Sequence, residues 1–213
     1  VDEQVRRRRT NAMVFDLGQV LVARDPLPAI AAGVGEERAR AFLADGEVFA
    51  TYHRDLDLGV PVEQAQQRAI SAHPGYADEI RSYVTHVDRS LTHQIDGTVQ
   101  LLRELYDARV PLFALTNWSA ELFEAHARPR FPFLAGFLDI VVSGAEGVVK
   151  PDPAIFSVLE QRMGIPLTEC CYTDDSPRNV LAGRACGLDA ITFTTPERLR
   201  VDLGSRGAPV RPA

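Results

Sequence analysis

Asp16 closes the apolar run Val14-Phe15 and is followed by Leu17-Gly18-Gln19-Val20-Leu21-Val22, so a single carboxylate is delivered to a glycine-containing turn. A carboxylate at the C-terminal end of a strand, next to a residue that lets backbone approach a ligand, suits a nucleophile or a metal ligand; the alternative is an Asp that caps the next turn. Three later segments answer it. Thr116-Asn117 follows Leu112-Phe113-Ala114-Leu115, Lys150 follows Val148-Val149, and Asp174-Asp175 follows Cys170-Cys171-Tyr172 with one intervening threonine. Asp16, Asp174 and Asp175 together form a hard-oxygen set suited to Mg²⁺, which uses few protein carboxylates and keeps positions open for phosphate and water. Lys150 and Thr116 bring the opposite chemistry. A lysine point charge and a hydroxyl donor can hold non-bridging phosphate oxygens, while a metal neutralises charge that would repel an attacking carboxylate.

These residues lie more than 150 positions apart, so the elements that carry them must converge. After residue 96 the pattern alternates between helical and strand periods, the sequence form of repeated βα units on a parallel sheet. Val99, Leu102, Leu105 and Tyr106 mark a helix face; strands are expected at 112–115, 140–142, 170–172 and 190–193, and helices around 153–162, 177–186 and 196–203. In an open parallel sheet the carboxyl ends of the strands share one crevice, which is where Asp16, Thr116-Asn117, Lys150 and Asp174-Asp175 would meet. Residues 27–93 read differently: rich in Ala, Glu, Gln and Arg at helical spacing, with no convincing strand. Breaks at Gly33-Val34-Gly35, Gly59-Val60-Pro61 and His73-Pro74-Gly75 divide this stretch into about four short helices. The fold class expected is therefore α/β, a Rossmann-like parallel sheet core (12–26 and 94–213) with a small inserted helical cap (27–93) placed over the carboxyl edge.

At 213 residues the chain suffices for one substantial core carrying a smaller module. Its 46% hydrophobic and 24% charged residues are ordinary for a globular protein, and no apolar run approaches the roughly 18 residues of a membrane span. A net charge of -6 supplies no general field for gathering nucleic acid, though local positive groups can still hold a small anion. Arg6-Arg7-Arg8-Arg9 forms a basic leader over 1–11, expected to be mobile; a twin-arginine export signal needs an apolar segment after the arginines, and none follows. Cys170, Cys171 and Cys186 lack metal-ligand spacing, so a reduced, cytoplasmic protein is the simplest expectation. Nothing in the pattern addresses oligomeric state.

Phe15-Asp16-Leu17-Gly18, Leu115-Thr116-Asn117, Lys150-Pro151-Asp152-Pro153 and Thr173-Asp174-Asp175-Ser176 stand in the order of the four motifs of the haloacid dehalogenase-like (HAD) hydrolase superfamily, which the chain resembles from about residue 12 to 203. The resemblance is to its phosphatase type with a helical C1 cap, and is nearest in look to bacterial sugar-phosphate phosphatases and the phosphatase domain of soluble epoxide hydrolase. It implies that Asp16 attacks phosphorus to form an aspartyl-phosphate that water hydrolyses. It further implies Mg²⁺ held by the Asp16 carboxylate, the Gly18 carbonyl and Asp175, with Asp174 coordinating directly or through water. Thr116 and Asn117 would take the phosphate, and Lys150 would pair with both phosphoryl oxygens and Asp16.

The departure from the family pattern is Gly18, where many family phosphatases carry a second Asp that protonates the leaving oxygen and later activates water. General acid-base help is typically worth about 10²–10⁴-fold, so its loss favours good leaving groups such as sugar 1-phosphates, acyl phosphates or aryl phosphates, or recruits an acid from the cap. His53, in Tyr52-His53-Arg54-Asp55, is the first candidate, against a plain surface histidine; Trp118 could wall the leaving-group pocket, against a core role. His73, His86, His93 and His126 show no metal spacing, Asp152 is expected to cap the following helix, and Asn179 to bond the acidic loop. The reading is a Mg²⁺-dependent phosphomonoester hydrolase of a small phosphorylated metabolite, acting on neither nucleic acid nor membrane. Its rivals are a 2-haloacid dehalogenase-type hydrolase using Asp16, which needs no Mg²⁺, and a weakly active phosphate-binding regulatory protein. A phosphomutase is disfavoured because it needs proton shuttling near Gly18.

Overall fold

Ala12-Met13-Val14-Phe15 is apolar at every position because both of its faces are covered, and it forms the central strand, β1 (Ala12–Phe15). In the computed structural model, which describes residues 11–212, the other strands are β2 (Val22–Arg24), β3 (Leu91–Gln94), β4 (Leu112–Thr116), β5 (Asp139–Val142), β6 (Cys170–Asp174) and β7 (Asp189–Thr192). Five of them make a parallel sheet in the order β5-β4-β1-β6-β7. The direction of winding reverses between β1 and β6. That places the switch point, where open α/β sheets bind ligands, between the strands that end at Asp16 and Asp174.

Period-2 alternation sorts the side chains to two cores. Met13, Phe15, Leu112, Ala114 and Cys171 point to one face, and Ala12, Val14, Leu115, Cys170 and Tyr172 to the other. Cys170 and Cys171 thus sit on opposite faces, and all three cysteines are free. The helix Pro153–Met163 begins at Asp152, whose side chain accepts a hydrogen bond from the Ala154 amide as the N-cap expected from the sequence. The face marked in the sequence by Val99, Leu102, Leu105 and Tyr106 falls on α6 (Asp96–Asp107) and loses one member. Val99, Leu101, Leu102 and Leu105 are buried, but Tyr106 is 59% exposed and does not belong to that face.

Residues 27–93 form five α-helices, not four: α1 (Leu27–Val34), α2 (Glu36–Asp45), α3 (Glu47–Asp57), α4 (Val62–Ala72) and α5 (Ala77–Thr85). The extra break is Gly46, whose φ of 66° interrupts what reads as one helical run. The stretch also ends in a strand that the sequence did not announce. β3 pairs antiparallel with β2, so the chain leaves and re-enters the core through a two-stranded ribbon. The basic leader, Arg6 to Arg9, lies outside the described residues.

Polar and steric contacts dock the helical segment on the core. The Ser143 hydroxyl donates to the Asp57 carbonyl at 2.6 Å, and the Val62 amide donates to the Glu121 carboxylate at 2.9 Å. Between them Gly59 takes φ +83°, and a Cβ there would lie 2.3 Å from the Gly144 carbonyl oxygen. Gly59→Ala combines a disfavoured left-handed backbone with a clash against main chain, and should lower unfolding stability by about 2–4 kcal/mol in urea titrations. An unchanged midpoint would show that this approach is not a fixed contact.

Candidate active site

The sheet sets the positions. Asp16 follows β1 directly, and its amide donates to the Thr173 carbonyl at 2.8 Å, locking it beside the end of β6. The turn after it closes on the Leu17 carbonyl, which accepts from the Leu21 and Val22 amides at 2.9 and 2.8 Å. Gln19, not Gly18, adopts the left-handed conformation in this turn, with φ 56°. Gly18 instead leaves open the side of the cavity where its own side chain would project.

Lys150 is the hub. The residue is buried, and its ammonium lies 2.9 Å from Asp16 Oδ1 and 2.6 Å from Asp174 Oδ2, and donates to the Leu115 carbonyl at 2.9 Å. All three of its donors are therefore committed. Burial, which alone would lower the Lys150 pKa, is outweighed by the Asp16 and Asp174 carboxylates, so the ammonium is held above its ordinary value. Asp174 is fully buried and fully partnered: Oδ2 also accepts from the Tyr172 hydroxyl, and Oδ1 accepts from the Ser176 amide at 2.8 Å and Asn179 Nδ2 at 3.0 Å. Burial, then the nearby Asp174 charge, pushes the Tyr172 hydroxyl well above its usual range, which keeps it a donor.

Asp16, Asp174 and Asp175 each offer an oxygen within 4.8 Å of the others, against one lysine. Asp175 is the exposed member. Burial raises the Asp16 pKa to about 7, opposed by Lys150 and reinforced by Asp174, and burial followed by Asp174 also raises Asp175. The cluster thus holds more negative charge than its own lysine balances, and its donors are the hard oxygens that Mg²⁺ prefers.

A cavity of about 320 Å³ opens over this cluster, lined on the core side by Asp16, Gly18, Thr116, Asn117, Lys150, Asp175 and Asn179. Arg24 of β2, Phe49 and His53 of α3, and Tyr83 of α5 line it from the helical side. The structure therefore brings together most of the residues singled out in the sequence, and alters two of them. Asn117 lines the cavity but also braces the Lys150 loop: Oδ1 accepts from the Lys150 amide at 2.8 Å and Nδ2 donates one of its two hydrogens to the Lys150 carbonyl at 3.0 Å. It positions the Lys150 loop. Trp118 is 3% exposed and is absent from the lining; it packs edge-on to Phe123, with the Arg24 guanidinium 4.2 Å over its ring. His53 does line the cavity, between Arg24 and Asp57. Arg24 itself was missed, since a lone arginine in a short exposed-looking run carries no local signal.

Residues 10–187 match the family model described as haloacid dehalogenase-like hydrolase. Hexitol phosphatase A of Escherichia coli (strain K12) is 28% identical over 193 residues, covering 88% of this chain and 85% of its own length. Validoxylamine A 7'-phosphate phosphatase of Streptomyces hygroscopicus subsp. limoneus is 25% identical over 144 residues, 64% of this chain and 66% of its own. Among solved structures, a HAD family enzyme from Bacteroides thetaiotaomicron in complex with magnesium and inorganic phosphate superposes with a TM-score of 0.68 at 19% identity. The alignment covers 87% of this chain and 94% of that one. At that identity the likeness is one of fold.

Proposed function

The chain belongs to the haloacid dehalogenase-like hydrolases, and from that premise we propose that it is a Mg²⁺-dependent phosphomonoesterase acting on a small phosphorylated metabolite through an aspartyl-phosphate at Asp16. The observation that carries this reading is the surplus of carboxylate around Lys150: three acids meeting at the sheet's switch point, beside a buried threonine hydroxyl. A dehalogenase also needs a carboxylate nucleophile, but has no use for two further acids unless a cation is present.

In this reading Asp16 attacks phosphorus in line while Lys150, whose donors are spent on Asp16, Asp174 and Leu115, keeps the carboxylate oriented and offsets phosphoryl charge through its field. The Thr116 hydroxyl holds a third contact to the phosphoryl group. Asp16, Asp175 and the Gly18 carbonyl would hold the Mg²⁺, with Asp174, whose oxygens are already bonded, supporting through water. Bound there, a divalent ion supplies the charge neutralisation that lets an anionic carboxylate meet an anionic phosphoryl group. The segment 27–93 acts as the cap, setting the leaving-group side with Phe49, His53 and Tyr83 and limiting water.

Metal binding should be visible without turnover. Asp16, raised to about 7 from its unfolded value of 3.8, keeps a proton in the native state that the unfolded chain releases. Its contribution to stability is complete below about pH 4 and is lost as pH rises through 7. Mg²⁺ replaces that proton, so the rise in Tm on adding Mg²⁺ should be larger at pH 8 than at pH 6, and should vanish with a chelator. An equal shift at both values, or none, would contradict the assignment of Asp16 to the metal site. Phosphate release from an activated aryl phosphate, present with Mg²⁺ and absent with chelator, tests the activity itself.

A further inference from the structure

Among the described residues, Arg24 lines this cavity without a counter-ion. Lys150 is committed to Asp16 and Asp174, whereas among the described residues no carboxylate pairs with the Arg24 guanidinium. The side chain is nonetheless held in place. The β2/β3 ribbon shifts register between Ala23 and Arg24, an irregularity of the kind that re-aims a side chain, and Gln19 Nε2 donates to the Arg24 carbonyl at 2.8 Å. The guanidinium lies 4.2 Å over the Trp118 ring and 3.1 Å from His53 Nε2. It stands where Gly18 has no side chain: a Cβ on Gly18 would sit 3.6 Å from Arg24 Cδ and 4.0 Å from its Nη1.

The contact with His53 fixes a proton. A guanidinium only donates, so His53 Nε2 accepts, and the imidazole proton sits on Nδ1, 3.3 Å from Asp57 Oδ2. His53 in this arrangement has no proton to give at the nitrogen nearer the cavity cation, which removes the acid first considered from the sequence. Asp16 and Asp175 belong to the acidic cluster, and burial, opposed by Arg24, raises the Tyr83 hydroxyl and makes it a poorer acid. The leaving-group side therefore offers fixed positive charge in place of a proton.

We propose that Arg24 stabilises the departing oxygen as an anion, and that the site is consequently selective for phosphate compounds with an acidic leaving group, acyl, enol or aryl phosphates, over simple alkyl phosphates. This deepens the phosphatase reading and rests on it. In the first step the Asp16 oxygen bonds to phosphorus, the bond from phosphorus to the leaving oxygen breaks, and its electron pair stays on that oxygen opposite the guanidinium; no proton moves. In the second step water adds to phosphorus, the Asp16–phosphorus bond breaks, Asp16 returns as carboxylate, and the water's second proton stays on the released phosphate. His53 and Asp57 are positioning residues that aim the guanidinium.

The test is kcat/KM with Mg²⁺ for a series of aryl phosphates of graded leaving-group acidity plus glycerol phosphate, in the intact chain and in Arg24→Met, Arg24→Lys, His53→Leu and His53→Gln. Wild type should favour the acidic aryl end and be poor on glycerol phosphate. Arg24→Met should steepen the dependence, losing about 10²-fold on the least acidic phenol and less than about tenfold on the most acidic, with Arg24→Lys between them. His53→Leu should steepen it in part, and His53→Gln, which can still accept from Arg24, should not. Retained binding of inorganic phosphate and Tm report that each variant is folded. A uniform loss across the series, or glycerol phosphate hydrolysed as well as the best aryl phosphate, would overturn the role of Arg24 while leaving the phosphatase reading intact. No phosphate release from any substrate by wild type would overturn both.

Discussion

Asp16→Asn should lose Mg²⁺-dependent phosphate release from aryl phosphates by a factor on the order of 10⁴ or more, while remaining folded. An amide in place of the carboxylate keeps the shape of the turn but removes the nucleophile, and residues that act as a unit lose nearly everything when the attacking group goes. Stability should not fall with it. Asp16 is a buried carboxylate whose ionisation is opposed by desolvation, so a neutral isostere relieves part of that cost, although Lys150 loses one charged partner and keeps Asp174. The expected pattern is an inactive protein with a Tm near that of wild type and a reduced Mg²⁺ shift. A variant that retains turnover would remove Asp16 from the chemistry.

Lys150→Met should show the opposite balance, with both activity and stability lost. The substitution leaves Asp16, Asp174 and the Leu115 carbonyl without their shared donor in a buried site, and removing one partner of a buried ion pair costs about 3–5 kcal/mol. Protonation of the orphaned carboxylates would recover part of this at low pH, so the Tm deficit should be smaller at pH 5 than at pH 8. Activity should drop by roughly 10³-fold even where the protein is folded, because the attacking carboxylate is no longer oriented or the phosphoryl charge met. Mg²⁺ is expected to restore some Tm but little rate. Wild-type kcat in this variant would contradict the hub role of Lys150.

The parts of the fold that were legible in sequence are those where burial leaves a one-dimensional trace. β1, β4 and β6 are covered on both faces and therefore read as short continuous apolar runs. The residue at each run's end, Asp16, Thr116 or Asp174, stands out because it is polar. The helical segment was equally visible from composition, and Gly33-Val34-Gly35 and Gly59-Val60-Pro61 broke it where expected. Gly46 did not register because helical residues flank it on both sides, and only its backbone conformation separates α2 from α3. The β2/β3 ribbon escaped because it is three and four residues long and mostly not buried; of Leu91-Thr92-His93-Gln94, Leu91 alone is buried. Tertiary pairing, not propensity, makes it a strand.

At the site the same division holds. Residue type and order carried Asp16, Thr116, Asp174 and Asp175, which stand at or just past strand ends, and Lys150, which does not: Val148-Val149 is not a strand, β5 ends at Val142, and the lysine reaches the site from the loop beyond a short helix. What each side chain is bonded to could not be read. The bonds by which the Asn117 amide brackets the Lys150 backbone leave no trace in the sequence, and neither does the guanidinium of Arg24 over Trp118, which is buried and not a cavity wall. Arg24 became visible only through the space left by Gly18, 3.6 Å from it.

The account depends most on a phosphoryl group residing on Asp16. Acid quench of the enzyme turning over an aryl phosphate with Mg²⁺, followed by borohydride reduction and peptide mapping, reads this directly, since an acyl phosphate reduces to the alcohol and leaves homoserine in place of the aspartate. The predicted result is homoserine at position 16, dependent on both Mg²⁺ and substrate. Phosphate release with no modified Asp16, or modification at another residue, would contradict it, as would Mg²⁺-independent halide release from a 2-haloacid with no phosphatase activity.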